Sequence, residues 1–215
     1  MKQFYIRLST LILGLALYGL GIVVTIQAHI GYEPWDVFHV GLARTTGLSI
    51  GTISIIVGLV IVVLIALLGE RLGLGTLLNM ILIGLFLDLF MALGVIPQAK
   101  DLLTGIPMLL AGLLIIALAS YFYIKSAFGA GPRDNLMVVL ARRTKLPIGV
   151  CRGAVELLVT IIGWLLGGMV GVGTVISVVM IGFFIQLVFR LFKFDIMSVR
   201  HETLTETLAT LRERK

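Results

Sequence analysis

Gly31-Tyr32-Glu33-Pro34-Trp35-Asp36 and Gly129-Ala130-Gly131-Pro132-Arg133-Asp134 are two copies of one motif, set 98 residues apart. The match extends without a gap from about residue 10 to residue 91 of the first copy. Val40, Arg44, Thr46 and Gly51 return as Val138, Arg142, Thr144 and Gly149, and Gly73, Gly75, Thr76 and Gly84 return as Gly171, Gly173, Thr174 and Gly182. The chain is therefore an internal duplication, and its architecture is that of one unit used twice.

The unit belongs in a bilayer. Of the 215 residues 59% are hydrophobic and 13% charged, about half the charged share of an ordinary soluble domain. Apolar runs near 8–27, 49–69, 73–92, 107–125, 147–167 and 172–192 have the length that crosses about 30 Å of hydrocarbon. The sequence predicts an all-α integral membrane protein with six spanning helices. The first run is too long for the apolar core of a signal peptide and is read as a retained helix. Its glycines, Gly14, Gly19 and Gly21, suit close helix packing in lipid. Pro107 is expected to open the fourth spanning helix. A membrane domain over 1–194, with repeats at about 8–92 and 107–192, is followed by a charged tail over 195–215. In the tail Leu204, Leu208 and Leu211 make one stripe of an amphipathic helix, expected to be solvated or to lie at the interface.

An odd number of spans per repeat inverts the second copy. Charge supports the inversion. Segment 27–47 carries Arg44 against Glu33 and Asp36, a net of −1, whereas 125–145 carries Lys125, Arg133, Arg142, Arg143 and Lys145 against Asp134, a net of +4. By the positive-inside bias the first motif faces outward and the second faces the cytoplasm. Lys2 and Arg7 place the N-terminus in the cytoplasm, and six crossings return the tail there. The formal charge of +6 thus reflects topology and does not imply nucleic acid as a partner.

Each motif begins a short helix, Pro34 to about Thr46 and its echo from Pro132. Each is too short to span, so it is interfacial or re-entrant. Proline suits the first helical position, and the aspartates Asp36 and Asp134 then meet the free N–H groups of the first turn. They either cap their own helices or approach a shared central site, as broken helices do in inverted-repeat transporters. Trp35 and Trp164 are expected at the membrane–water interface.

Arg152 and Glu156 lie four apart on the fifth span and can pair. Glu156 falls about 13 Å beyond Pro147 along a helix. A charge at such depth costs roughly 2.5–3.5 kcal/mol, which marks either a structural clamp or a solute path. Asp88 lies one turn from the end of the third span. The copies diverge at these polar positions: Ser54 against Arg152, Gly58 against Glu156, Asp88 against Gln186. His29 and His39 lack metal-site spacing to other ligands. Nucleotide-loop, zincin and serine-nucleophile motifs are absent, so no cofactor, metal or enzymatic chemistry is expected. Cys151 stands alone, which excludes an internal disulfide.

Gly-Ala-Gly-Pro-Arg-Asp-Asn-Leu-Met (129–137), Gly-Val-Cys-Arg-Gly-Ala-Val-Glu (149–156) and Gly-Trp-Leu-Leu-Gly-Gly-Met-Val-Gly-Val-Gly-Thr (163–174) resemble the YczE group of bacterial membrane proteins, related to YitT-type proteins. The resemblance covers about 8–192. It implies a bacterial inner-membrane location and a six-helix architecture, and no substrate. Glu33 stands where the group usually has Gly, which is expected to make that backbone less permissive, and Phe183 stands where Pro often follows Gly182. The expected function is a small secondary transporter or channel-like protein for a small solute or ion, working as a homodimer. Asp36, Asp134, Arg133, Arg152, Glu156, Glu33, Asp88 and Gln186 are the candidates for binding or gating. The cationic inner motif suits an anion and the acids suit protons, and both remain open. The alternative is an accessory or regulatory subunit that docks a cytoplasmic partner through its basic loop and tail.

Overall fold

The computed structural model describes residues 2–70, 72–195 and 198–212. In chain order the helices are α1 (Lys2–Gln27), α2 (Pro34–Thr46), α3 (Ile50–Leu67), α4 (Leu74–Leu93), α5 (Leu102–Lys125), α6 (Pro132–Thr144), α7 (Ile148–Leu165), α8 (Val172–Leu191) and α9 (Leu204–Arg212). Among the described residues there is no strand. Six helices, α1, α3, α4, α5, α7 and α8, are long and apolar enough to cross a membrane. Leu67, Leu165, Val179 and Leu191 on their outer faces are mostly exposed, a surface that only lipid or another protein covers favourably.

The helix limits carry the duplication. α2, α3 and α4 reappear as α6, α7 and α8 with both ends displaced by 98 residues. At the centre α1 packs along α5. Glycine makes this crossing close: a Cβ on Gly14 would stand 2.8 Å from the Tyr123 nitrogen, and one on Gly21 would stand 2.6 Å from Ile116 Cγ1. Without a hydrophobic force between helices in lipid, such small-residue packing is what holds two spans together. Leu11, Leu15, Val23, Leu113 and Ile116 fill the seam and are almost fully buried. α4 then lies against α1, and α8 against α5.

The halves interlock through swapped contacts. The Gly75 N–H donates to the Phe128 carbonyl (2.7 Å), and the Gly173 N–H donates to the Ile30 carbonyl (2.8 Å). Each connector is thus held by the start of the other half's last helix. Gly31 (φ +116°) and Gly129 (φ +124°) turn the chain there, a region of φ that favours glycine. Arg44 donates to the Gly167 carbonyl (2.6 Å); its counterpart Arg142 pairs with Glu70 (2.9 Å).

Two helix starts differ from the sequence expectation. α1 begins at Lys2 rather than near residue 8, and α5 begins at Leu102 with Pro107 inside it. Asp101 is the reason for the second: its carboxylate accepts from the Thr104 N–H (2.8 Å) and hydroxyl (2.7 Å) and caps the helix a turn earlier. These bonds hold the Asp101 carboxyl below the usual carboxylate range. The backbone hydrogen bond that Pro107 cannot donate falls near this exposed helix end, where carbonyls find other donors.

The segment ahead of α9 is packed against the membrane domain. The Glu202 N–H donates to the Ala127 carbonyl (2.8 Å) and the Leu204 N–H to the Leu72 carbonyl (2.9 Å). Arg7 pairs with Glu202 and lies over the Phe128 ring at 4.5 Å. The side chains of Leu208 and Leu211, two members of the expected stripe, lie outside the described residues.

Candidate functional site

Both short helices point their first turns at one internal space. Glu33 (φ −60°, ψ 152°) and Gly131 (φ −62°, ψ 156°) are the N-caps, and Pro34 and Pro132 follow them. Proline loses nothing here, because its position has no hydrogen-bond partner within a helix. Glu33 adopts ordinary extended backbone, so its substitution for Gly costs no conformational freedom. The position in the motif that needs glycine is Gly31, where a Cβ would meet the Gly171 nitrogen at 2.7 Å.

The space is a cavity of about 500 Å³ walled by both halves and by the tail. From the first half come Tyr18, Glu33, Trp35, Ser54 and Asn79. From the second come Tyr123, Arg133, Asp134, Arg152 and Glu156. The tail adds His201. The two motifs touch: the Arg133 guanidinium lies 4.7 Å over the Trp35 ring, and its Nη2 is 3.4 Å from His39 Nε2. Trp35 is therefore turned inward onto a cation, not outward as an interface anchor; Trp164 is exposed.

The charged candidates divide by place. Arg152 donates to Glu156 at 2.7 Å on α7, as their spacing predicts. Arg133, Asp134 and Glu33 share the cavity with this pair. Asp36 does not reach the cavity wall: it is 2% exposed and lies 3.7 Å from His39 Nδ1. Asp88 also lies elsewhere, accepting from the Ser49 hydroxyl and from the Gly51 N–H (2.8 Å) at the start of α3. Gln186 is exposed on α8 and likewise does not line the cavity. Among the described residues no three His, Cys, Asp or Glu side chains gather as metal ligands.

Residues the sequence reading passed over complete the wall. Tyr123 is 3% exposed, and its hydroxyl has no partner among the described residues. Glu33 Oε1 and His201 Nδ1 are similarly unpaired. Burial pushes the His201 imidazole down, and Asp134 pulls it partly back up. Asn79 and Ser177 face the same space. They are repeat counterparts, each polar in an apolar helix, and that coincidence was the available signal. Two of the diverged pairs, Ser54 with Arg152 and Gly58 with Glu156, also meet on this one wall. A cavity bearing both signs of charge, hydroxyls and an amide inside an apolar bundle can hold a small polar solute.

Residues 5–190 match a family of unknown function, DUF6198. The chain belongs to that family. Among relatives, it is 37% identical over 191 residues to an uncharacterised protein of Haemophilus influenzae, covering 87% of each chain. It is 32% identical over 187 residues to the uncharacterised membrane protein YczE of Bacillus subtilis, covering 86% of each. The Bacillus subtilis protein YyaS is 28% identical over 190 residues, covering 87% of this chain and 92% of its own. The likeness to the YczE group read from the motifs therefore holds along nearly the whole chain. No solved structure matches it.

Proposed function

We propose that this DUF6198 member is a small secondary transporter or channel-like protein of the bacterial cytoplasmic membrane, and that the central cavity is its solute site. One observation carries this reading: a cavity of about 500 Å³, largely apolar but lined by Glu33, Arg133, Asp134, Arg152 and Glu156, is walled jointly by the two copies of one repeat. Inverted-repeat transporters place their sites at such a repeat interface, where short helices present their N-termini. With the first motif outside and the second inside, α2 and α6 approach the cavity from opposite faces. Arg133, Asp134, Glu33, Arg152 and Glu156 bind or gate. No bond chemistry is assigned to the acids.

The accessory-subunit reading has one specific support, the basic segment 125–145. Yet Arg142 and Arg143 are already engaged by Glu70 and the Leu68 carbonyl, and the tail is tied to Arg7 and Ala127. These contacts leave less of that surface free for a partner.

The test is uptake into proteoliposomes of a panel of labelled amino acids, organic acids, inorganic anions and monovalent cations. Glu156→Gln and Asp134→Asn are expected to remove uptake at unchanged folded yield. Tail removal abolishing function, with both acids dispensable, would favour the accessory reading.

A further inference from the structure

The two halves share a sequence pattern but not a conformation. In the first half α3 packs along α4, whereas α7 has no such seam with α8. A Cβ on Gly51 would stand 2.0 Å from the Gly84 carbonyl, and one on Gly84 would stand 2.5 Å from the Gly51 carbonyl. These two backbones touch. Among the described residues, their counterparts Gly149 and Gly182 have nothing within 4 Å of the same position. The cavity follows the difference. It reaches Ile148 and Gly149 on α7 and Ile185 and Phe189 on α8, but on the other half it stops at Ser54 and Ile83. The positions equivalent to the open end, Ile50, Gly51, Leu87 and Met91, are outside it.

We propose that α3–α4 and α7–α8 are the two gates of an alternating-access carrier, with the outer gate closed and the inner gate open in this structure. This rests on the transporter reading and on its topology, which places the start of α3 outside and the start of α7 inside. Gly149 and Gly182 are small because they meet in the opposite state, as Gly51 and Gly84 meet in this one. In that state the Gln186 amide oxygen takes the Gly149 N–H, as Asp88 takes that of Gly51, and the outer pair separates. The two clamps differ in strength. A bond to a carboxylate is roughly twice as strong as one to a neutral amide, and Pro147 lacks the hydroxyl by which Ser49 adds a second bond to Asp88. The closed outer gate is therefore the resting arrangement, and the carrier waits open to the cytoplasm.

The experiment is a pair of spin-label distances in lipid nanodiscs, in a Cys151→Ser background. One pair is Ile56→Cys with Leu85→Cys, and the other is its repeat counterpart, Ala154→Cys with Phe183→Cys. The expected result is two populations for the α7–α8 pair, the minor one as short as the α3–α4 distance. Asp88→Asn enlarges that short population and lengthens the α3–α4 pair. Gly182→Leu, placed where nothing crowds it, removes the short population without loss of folded yield. One long distance across α7–α8 and one short distance across α3–α4, unmoved by Asp88→Asn, would overturn the proposal. So would a short distance between singly labelled Phe183→Cys protomers, because the gap would then be filled by a second copy. The distances require no solute, so a failed uptake screen leaves the gates standing, and fixed distances leave the cavity site standing.

Discussion

The Arg133 guanidinium stacks 4.7 Å over the indole of Trp35, joining the first turn of α6 to that of α2. It is a direct contact between the two motifs, and it sets a half-buried cation against an aromatic face. Arg133→Ala and Trp35→Ala are each expected to lower thermal stability in detergent. The double variant should reveal a coupling of about 0.5–2 kcal/mol. Arg133→Lys should recover little of it, because ammonium does not stack as guanidinium does. Additive losses would mean that the stack contributes nothing of its own.

Asp88 is a clamp, with the Ser49 hydroxyl and the Gly51 N–H as donors. Asp88→Ala is expected to destabilise by about 2 kcal/mol, the scale of a lost charge-assisted bond. It should speed alkylation of a cysteine at Thr52, near the start of α3. Thermal unfolding followed beside maleimide labelling checks both, and a variant as stable as the parent would remove the clamp.

Gly14 and Gly21 admit α5 against α1 with backbone nearly in contact. Gly21→Val forces the seam apart, a cost of about 1–3 kcal/mol for overpacking. Gly153→Val adds the same bulk where nothing lies within 4 Å and is expected to fold normally. Monodisperse yield by gel filtration separates them, and equal yields would contradict the packing of the central pair.

His201 places the tail on the cavity wall. Removing 198–215 is expected to speed labelling of Asn79→Cys by a membrane-impermeant maleimide in inside-out vesicles. The Glu202→Ala variant, which loses the Arg7 pair and the Thr207 hydroxyl bond, should do so less. An unchanged rate on truncation would show that the tail does not cover this end of the cavity.

Much of the fold was legible because the repeat is written in residues with narrow backbone roles. Pro34 and Pro132 mark helix starts, and both appear at the first position. The start of α5 does not follow from the sequence pattern, because Pro107 carries the same signal as Pro34 and Pro132, while the cap that sets the start, Asp101, lies further upstream. The Arg152–Glu156 pair followed from helical spacing. Tyr18 and Tyr123 did not stand out, because a tyrosine in a spanning helix looks like core until its hydroxyl is placed. The unlike packing of α3–α4 and α7–α8 was not legible at all. The glycines are the same in both copies, and which pair is closed depends on tertiary balance.

Sided thiol labelling tests most directly whether the two halves are oppositely oriented. The probes belong at Leu48 and Leu146, exposed counterparts just past the short helices. In a Cys151→Ser background, Leu48→Cys should react with an impermeant maleimide only from outside the cell. Leu146→Cys should react only in inside-out vesicles. Labelling of both from the same side would contradict the inverted repeat, and with it the shared cavity as a transport site.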